Sequence, residues 1–319
     1  MSLIFGPIPS RRLGRSLGIN DVARKTCSYG CVYCQLGPTE RTHIERRSFR
    51  TPEQIARVVA ERIEELRRNG DDVDVLTFVP EGEPTLDRRL GATIEALRPL
   101  GVPVAVVTNG SLLTDPEVRA DVARAQWVSV KIDSVHERPW RAIDRPDPRL
   151  QLPDVLEGVR CFAGEYQGTL VTETMLVSGI NDAPDDLRDT AAFIAKLRPA
   201  TAYLGVPTRP PAEEGVRAPD DATLVRAWEI FVAAGIPSVE VLASDPTPQL
   251  ARSGDVASEL RAIAAVHPLR EVEVEALLRA SGAEKSALDP LLESGALRVI
   301  EHRGQRFYVA HRKAPQSIG

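Results

Sequence analysis

The chain is poor in aromatic residues, in cysteine and in long apolar runs. Phe, Trp and Tyr together make up 5% of its 319 residues. No run reaches the roughly 20 apolar residues that a membrane-spanning helix requires, and the first residues lack the apolar core of a secretory signal. No membrane partner and a cytoplasmic location are therefore expected. Four cysteines, three of them bunched together, do not make a secreted disulfide framework. No second Cys or His pair stands at zinc-finger spacing. With 43% hydrophobic and 27% charged residues the composition is that of an ordinary globular protein, long enough for one full core and a smaller second domain.

The bunched cysteines lie in Cys27-Ser28-Tyr29-Gly30-Cys31-Val32-Tyr33-Cys34, at spacing C-x3-C-x2-C. Thiolates so close on a glycine-containing loop can converge on one inorganic centre. A closed zinc site takes four ligands, usually as two separated pairs, and a closed iron–sulfur cluster also takes four. Three ligands and an open corner suggest a cluster that leaves one iron free for a small molecule; the competing reading is a zinc knuckle with His43 as fourth ligand. Cys161 falls beside Val159 and Phe162 in a predicted helix and is expected to be a core thiol.

Strand and helix patterns alternate along the chain. A short strand near residues 17–20 precedes the cysteines. A helix over 52–69 follows them, opened by the capping-box pattern Thr51-Pro52-Glu53-Gln54 and stopped at Gly70. Strands are expected at 73–79, 102–107, 127–132, 170–177 and 202–206. Between them run helical patterns around Ile94 and Leu97, after the N-cap Asp115 with Pro116, through Val155 to Phe162, and through Leu187 to Leu197. Six β/α repeats argue for a parallel sheet covered by helices, either a barrel or a doubly wound sheet. Functional residues then belong at the C-terminal ends of the strands. Those ends carry Glu81-Gly82-Glu83-Pro84-Thr85, Thr108-Asn109-Gly110, Lys131 with Asp133, Thr172 with Thr174, and Val177-Ser178-Gly179-Ile180-Asn181. Glu83 is an anion able to face an ammonium, Thr108 and Asn109 are small polar groups able to meet a ligand, and Lys131 suits a carboxylate.

The cysteine spacing, with aromatic Tyr33 before the last Cys, resembles the radical S-adenosylmethionine (SAM) superfamily. That resemblance implies a [4Fe-4S] cluster on Cys27, Cys31 and Cys34, with SAM chelating the fourth iron through its amino and carboxylate groups. It narrows the α/β fold to a partial (β/α)6 barrel. Reductive cleavage of SAM would yield a 5′-deoxyadenosyl radical for hydrogen abstraction, with an electron donor of flavodoxin or ferredoxin type. Glu81-Gly82-Glu83 resembles the family's GGE motif with Glu81 in place of the first Gly, and 177–181 resembles the segment that lines the adenine. The implied cofactor contacts are Tyr33, Gly82, Glu83, Pro84, Thr108, Asn109, Lys131, Asp133 and Ile180. The resemblance spans about residues 5–210. Gly6 to Arg50, with Pro7-Ile8-Pro9-Ser10-Arg11-Arg12, is similar to the branch containing the tRNA wyosine-base synthetases; their second cysteine set is absent here, so their specific activity does not transfer.

Residues 1–50 hold nine Lys/Arg against Asp21, Glu40 and Glu45, a net of +6 in a chain whose formal net charge is −5. An anionic substrate is expected, with RNA as first guess, unless these cations pair with acids elsewhere. From about Gly254 three helical patterns (256–266, 272–280, 284–293), a strand from Leu297, an Arg303-Gly304 turn and a strand from Arg306 resemble a winged helix. The expected domains are a barrel over 1–250 and a winged-helix-like α+β domain over 251–319. The competing function is an iron–sulfur or zinc sensor that binds nucleic acid through that wing, where Arg298, Arg303, Arg306, Arg312 and Lys313 gather. Its would-be recognition helix carries Glu284, Asp289 and Glu293 against a single Lys285, the wrong sign for a phosphate-lined groove.

Overall fold

A computed structural model describes residues 3–242, 256–266, 268–302 and 304–310. An antiparallel hairpin opens the chain, β1 (Ile4–Ser10) and β2 (Gly14–Ile19), and a long loop over residues 20–51 carries the clustered cysteines to α1 (Pro52–Arg68). Then follow β3 (Val75–Phe78), α2 (Leu90–Leu97), β4 (Val104–Thr108), α3 (Pro116–Val122), β5 (Trp127–Lys131), α4 (Glu137–Asp144) and α5 (Leu152–Glu165). The series continues with β6 (Thr169–Met175), α6 (Pro184–Leu197), β7 (Thr201–Gly205), α7 (Asp221–Ala233) and β8 (Val239–Leu242). The eight strands pair in sequence order, and β2 to β8 run parallel. The six expected repeats, β2 to β7, are thus present as a partial barrel, extended by β8 on one edge and by the unforeseen β1 on the other.

Local chemistry sets the helix starts. Thr51 Oγ1 accepts from the Gln54 amide while the Gln54 side chain accepts from the Thr51 amide, completing the capping box. Asp115 caps α3 by accepting from the Glu117 amide, with Pro116 in the first turn. On α1, Ile55, Val59, Ile63 and Leu66 are buried at helical spacing against the sheet. Each fully buried aliphatic side chain contributes about 1.5–3 kcal/mol by leaving water. On α7, Ala227 and Phe231 face the barrel, whereas Trp228 is 41% exposed and its indole N–H donates to the Val239 carbonyl of the edge strand. α4 was not anticipated, because eight residues with Pro at the third position carry little periodic signal.

The strands have one face under the helices and one toward the barrel interior. Leu17, Leu76, Phe78, Val106, Val128, Val130 and Leu204 belong to the main apolar core. Their alternating neighbours Ser16, Thr77, Ser129, Lys131, Glu173 and Tyr203 point inward and are mostly polar.

The remaining described chain forms α8 (Val256–Val266), β9 (Leu269–Arg270), α9 (Glu271–Ala280), a 3-10 turn over Lys285–Leu288, α10 (Asp289–Glu293), β10 (Leu297–His302) and β11 (Gln305–Ala310). β10, β11 and β9 make an antiparallel sheet in that order around a second apolar core of Leu260, Ile263, Leu277 and Tyr308. The expected single helix over 284–293 is split into turn and helix. The boundary at 250/251 lies outside the described residues, as do Arg303, Arg312 and Lys313. Among the described residues the second core meets the barrel where Ile8 packs on it, where Glu259 accepts from the Gly6 amide and pairs with Arg62, and where Arg209 makes a buried two-pronged ion pair with Glu273.

Candidate functional site

Backbone pairing lays the cysteine loop across the C-terminal ends of β2 and β3. The Lys25 amide donates to the Glu81 carbonyl at 2.6 Å and the Glu83 amide to the Thr26 carbonyl at 2.9 Å. A Cβ built on Gly82 would overlap the Thr26 carbonyl, so this position requires glycine. Glu81 bonds Asn20 twice and pairs with Arg24 at 3.3 Å; it clamps the end of β2. On the far side the Val32 amide donates to the Ile143 carbonyl and the Gly30 amide to Asp144, both at 2.9 Å, so α4 carries the other flank of the loop.

The three thiols share this loop, half-buried and electrostatically coupled. Burial first, then Glu83 and Cys34, push the Cys27 thiol up to about 12. Burial, then Asp144 and the other two cysteines, raise Cys31 well above the ordinary thiol value. Such thiols keep their protons until a metal displaces them. Each has a polar neighbour: Asn109 Nδ2 donates to Cys27 Sγ at 3.7 Å, Cys31 Sγ to Asp144 Oδ1 at 3.4 Å, and Lys25 Nζ to Cys34 Sγ at 3.4 Å. Among the described residues no three His, Cys, Asp or Glu stand close enough to share one metal ion. The donor set suits a cluster, whose thiolates each take a different iron.

Tyr33 links the loop to β5. Its hydroxyl donates to Asp133 Oδ2 at 2.5 Å and lies 3.3 Å from Asp144 Oδ1, and Lys131 Nζ stands 4.8 Å above its ring. Burial works against the charge of Lys131, but Asp133 and Glu173 outweigh it and raise its pKa. Lys131 Nζ is 3.7 Å from Asp133 Oδ1, beyond hydrogen-bond reach, and finds no hydrogen-bond acceptor among the described residues. A charged ammonium with unspent donors beside the thiols fits a carboxylate ligand. Burial raises Asp144 well above the usual carboxylate range, with Asp133 adding to it.

Glu83 is committed to the protein. Oε1 accepts from the Thr85 amide and hydroxyl and from Thr108 Oγ1, and Oε2 accepts from the Asn109 amide at 2.8 Å. The carboxylate ties the ends of β3 and β4 together and keeps one lone-pair direction on Oε2 for a donor. Pro84 is buried at the start of a 3-10 turn. Ile180 packs with Val177, Val32 and Tyr33, and Asn181 holds that segment by donating to the carbonyls of Asp133 and Met175.

The expected residues of the cysteine loop, β3, β4, β5 and 177–181 are therefore assembled around one place. Thr172 and Thr174 are not part of it: they are on the helix-facing side of β6, and Thr174 Oγ1 donates to the Ile132 carbonyl. Cys161 is half-buried on α5 and bonded to Glu157 of its own helix, so it is not the expected core thiol. Sequence reasoning missed Asp144 and Glu173. For Glu173 a signal existed, an acid alternating with threonines inside an apolar strand.

Residues 24–194 match the radical SAM superfamily. The chain is 40% identical over 315 residues to a UPF0026 protein of Methanocaldococcus jannaschii, covering 98% of each. Among solved structures it is similar to TYW1 with a lysine–pyruvate adduct bound, with TM-score 0.54, 15% identity and coverage of 69% of this chain and 73% of that one. It is also similar to Streptococcus suis SuiB bound to S-adenosylmethionine, with TM-score 0.51, 12% identity and coverage of 70% and 49%. At these identities the structural likeness speaks for the fold alone.

Proposed function

The chain belongs to the radical SAM superfamily, and we propose that Cys27, Cys31 and Cys34 are the cluster ligands at which it cleaves SAM to act on a small anionic substrate. It is an enzyme, and its family works with a [4Fe-4S] cluster and SAM, drawing on an electron donor. When bound, these groups supply a one-electron cleavage of SAM and a radical that abstracts hydrogen. The protein supplies position, charge and exclusion of water. The observation that carries the reading is the lacing of the three-thiol loop, through Lys25, Thr26 and Gly82, onto strand ends where Asn109 and Lys131 have donors turned toward it.

In this reading Lys131 takes the SAM carboxylate and Oε2 of Glu83, with Gly82 and Pro84 beside it, faces the amino group. Thr108, Asn109 and Asp133 border the ribose and methionine, while Tyr33 and Ile180 border the adenine. The donor is of flavodoxin or ferredoxin type. Four of the nine cations in residues 1–50 are spent on acids beyond that segment: Arg12 on Glu173, Arg15 on Asp74, Arg24 on Glu81 and Arg46 on Asp121. The surface is less basic than the count implies, which favours a small anionic substrate over RNA. The two separate apolar cores support the division into 1–250 and 251–319. The second unit is winged-helix-like in element order, but its Asp289–Glu293 helix is acidic and does not favour nucleic acid.

The test is anaerobic: load iron and sulfide, reduce with dithionite, add SAM and assay 5′-deoxyadenosine. Wild type should form it, and Cys31→Ala should lose both cluster absorbance and product. A full cluster retained in Cys31→Ala would sink the ligand assignment.

A further inference from the structure

The β1–β2 hairpin turns at the N-terminal end of the parallel sheet, yet its Arg12 reaches the barrel interior. Arg12 Nη1 donates to Glu173 Oε1 on β6, and its guanidinium carbon lies 5.6 Å from the centroid of the Tyr203 ring on β7. Glu173 Oε1 also accepts from Ser129 Oγ of β5 at 2.7 Å. Glu173 is the direct cross-strand neighbour of Lys131. These side chains belong to the inward strand face. Their outward neighbours Val128, Val130, Thr172 and Leu204 are sealed, whereas Arg12 and Glu173 keep 22% and 19% of their side-chain surface open. Val79, Val107, Met175 and Gly205, inward at the upper strand ends, are also accessible, so the interior is reachable by a small molecule from the cysteine side.

The hydrogen bonding of this group is incomplete. Among the described residues, Arg12 Nε and Nη2 have no acceptor and Glu173 Oε2 has no donor. Burial works against the charge of Glu173, but Arg12 and Lys131 outweigh it and lower its pKa, so the carboxylate remains ionised. An arginine stacked on a tyrosine, aimed by one carboxylate oxygen and left with free N–H groups, is an oriented fork for an oxyanion. Stacking also limits the side-chain freedom that binding would otherwise cost.

We propose that Arg12, held on Tyr203 and oriented by Glu173, binds the oxyanion of a small-molecule substrate, a carboxylate or a phosphate, in the barrel interior beside the Lys131–Glu173 strand pair. The substrate's other end then faces the thiols. A macromolecule does not fit a guanidinium enclosed by the barrel wall at Ser129 and Tyr203, both nearly sealed. The choice of substrate class deepens the radical SAM reading and rests on it for the reaction, but anion binding is measurable without any turnover.

The experiment titrates the cluster-loaded full chain with SAM present and no reductant, following inorganic phosphate by its 31P line width and [13C]acetate by its carboxylate line, at constant ionic strength. One of the two should bind saturably, which identifies the source of the oxyanion. Arg12→Gln should weaken that binding at least tenfold, equivalent to about 1.4 kcal/mol. Glu173→Gln removes the resident competitor for the guanidinium and should tighten it several-fold. A structural brace would instead weaken binding in both variants, and that outcome overturns the proposal. So does binding of neither anion, or unchanged affinity in Arg12→Gln. Should Arg12→Gln not fold, modification of wild-type Arg12 by phenylglyoxal, read by mass spectrometry, replaces it: the bound anion should slow it several-fold, and no protection overturns the proposal. The 5′-deoxyadenosine assay is read separately, so either reading can fail while the other stands.

Discussion

The hydroxyl of Tyr33, in the middle of the cysteine loop, donates to Asp133 Oδ2 at 2.5 Å across 100 residues of chain. This buried bond fixes the loop against the end of β5 and sets the ring under Lys131. Tyr33→Phe keeps the ring and removes the donor, leaving a buried carboxylate oxygen short of a partner, a loss of about 1–3 kcal/mol. Denaturant unfolding should show that loss, and iron retained per chain should fall. Unchanged stability with full iron retention would show that the hydroxyl does not hold the loop.

Gly82→Ala places a methyl on the Thr26 carbonyl, a backbone atom one residue before Cys27 that has nowhere to go. The variant should fold its helices, seen by circular dichroism, yet take up less iron than wild type under identical loading. Gly164→Ala in α5, where the new methyl meets nothing within 4 Å, is the control and should load normally. Equal iron in Gly82→Ala and wild type would refute the role of this close approach.

Arg209 and Glu273 join the β7–α7 loop to α9 through two bonds of 2.9 and 3.0 Å. Burial alone would raise the Glu273 carboxyl, but the Arg209 fork outweighs it and holds it at about 2. The folded value lies below the ordinary one, so the pair's contribution is present above about pH 4.5 and is lost as pH falls toward 2. Glu273→Gln leaves Arg209 charged and buried, with an expected loss on the order of 3–5 kcal/mol at neutral pH. Its unfolding free energy should vary less than wild type between pH 5 and pH 2; parallel pH curves would refute the linkage.

Asp87 has the opposite sign. Burial raises its carboxyl to about 6, and the Arg89 amide and the charges of Arg89 and Arg46 offset this only in part. Its contribution is therefore present at acid pH and lost as pH rises through about 6. Asp87→Asn should gain stability relative to wild type as pH is raised from 4 to 7, measured by urea unfolding across that range. A constant difference between the two proteins would exclude Asp87 as the source.

The sequence by itself determined the thiol spacing, the alternation of strands and helices, and the caps of α1 and α3. These are local: a capping box closes over four residues, and three thiols within eight residues must lie on one loop whatever the fold. The strand ends carrying Glu83, Asn109 and Lys131 followed from the alternation, since parallel strands align their C-terminal ends. Only the tertiary structure decided which face of each strand looks inward. Strands covered on one side and lining a polar interior on the other show which residues share a face, not which face it is. Hence Thr172 and Thr174 fell outside the site while their neighbour Glu173 fell inside. Glu83, read as a free anion, was committed by donors from two other strand ends. Arg12 meets Glu173 across 161 residues, and no spacing in the sequence encodes that, because the contact exists only once a hairpin closes the bottom of a wound sheet.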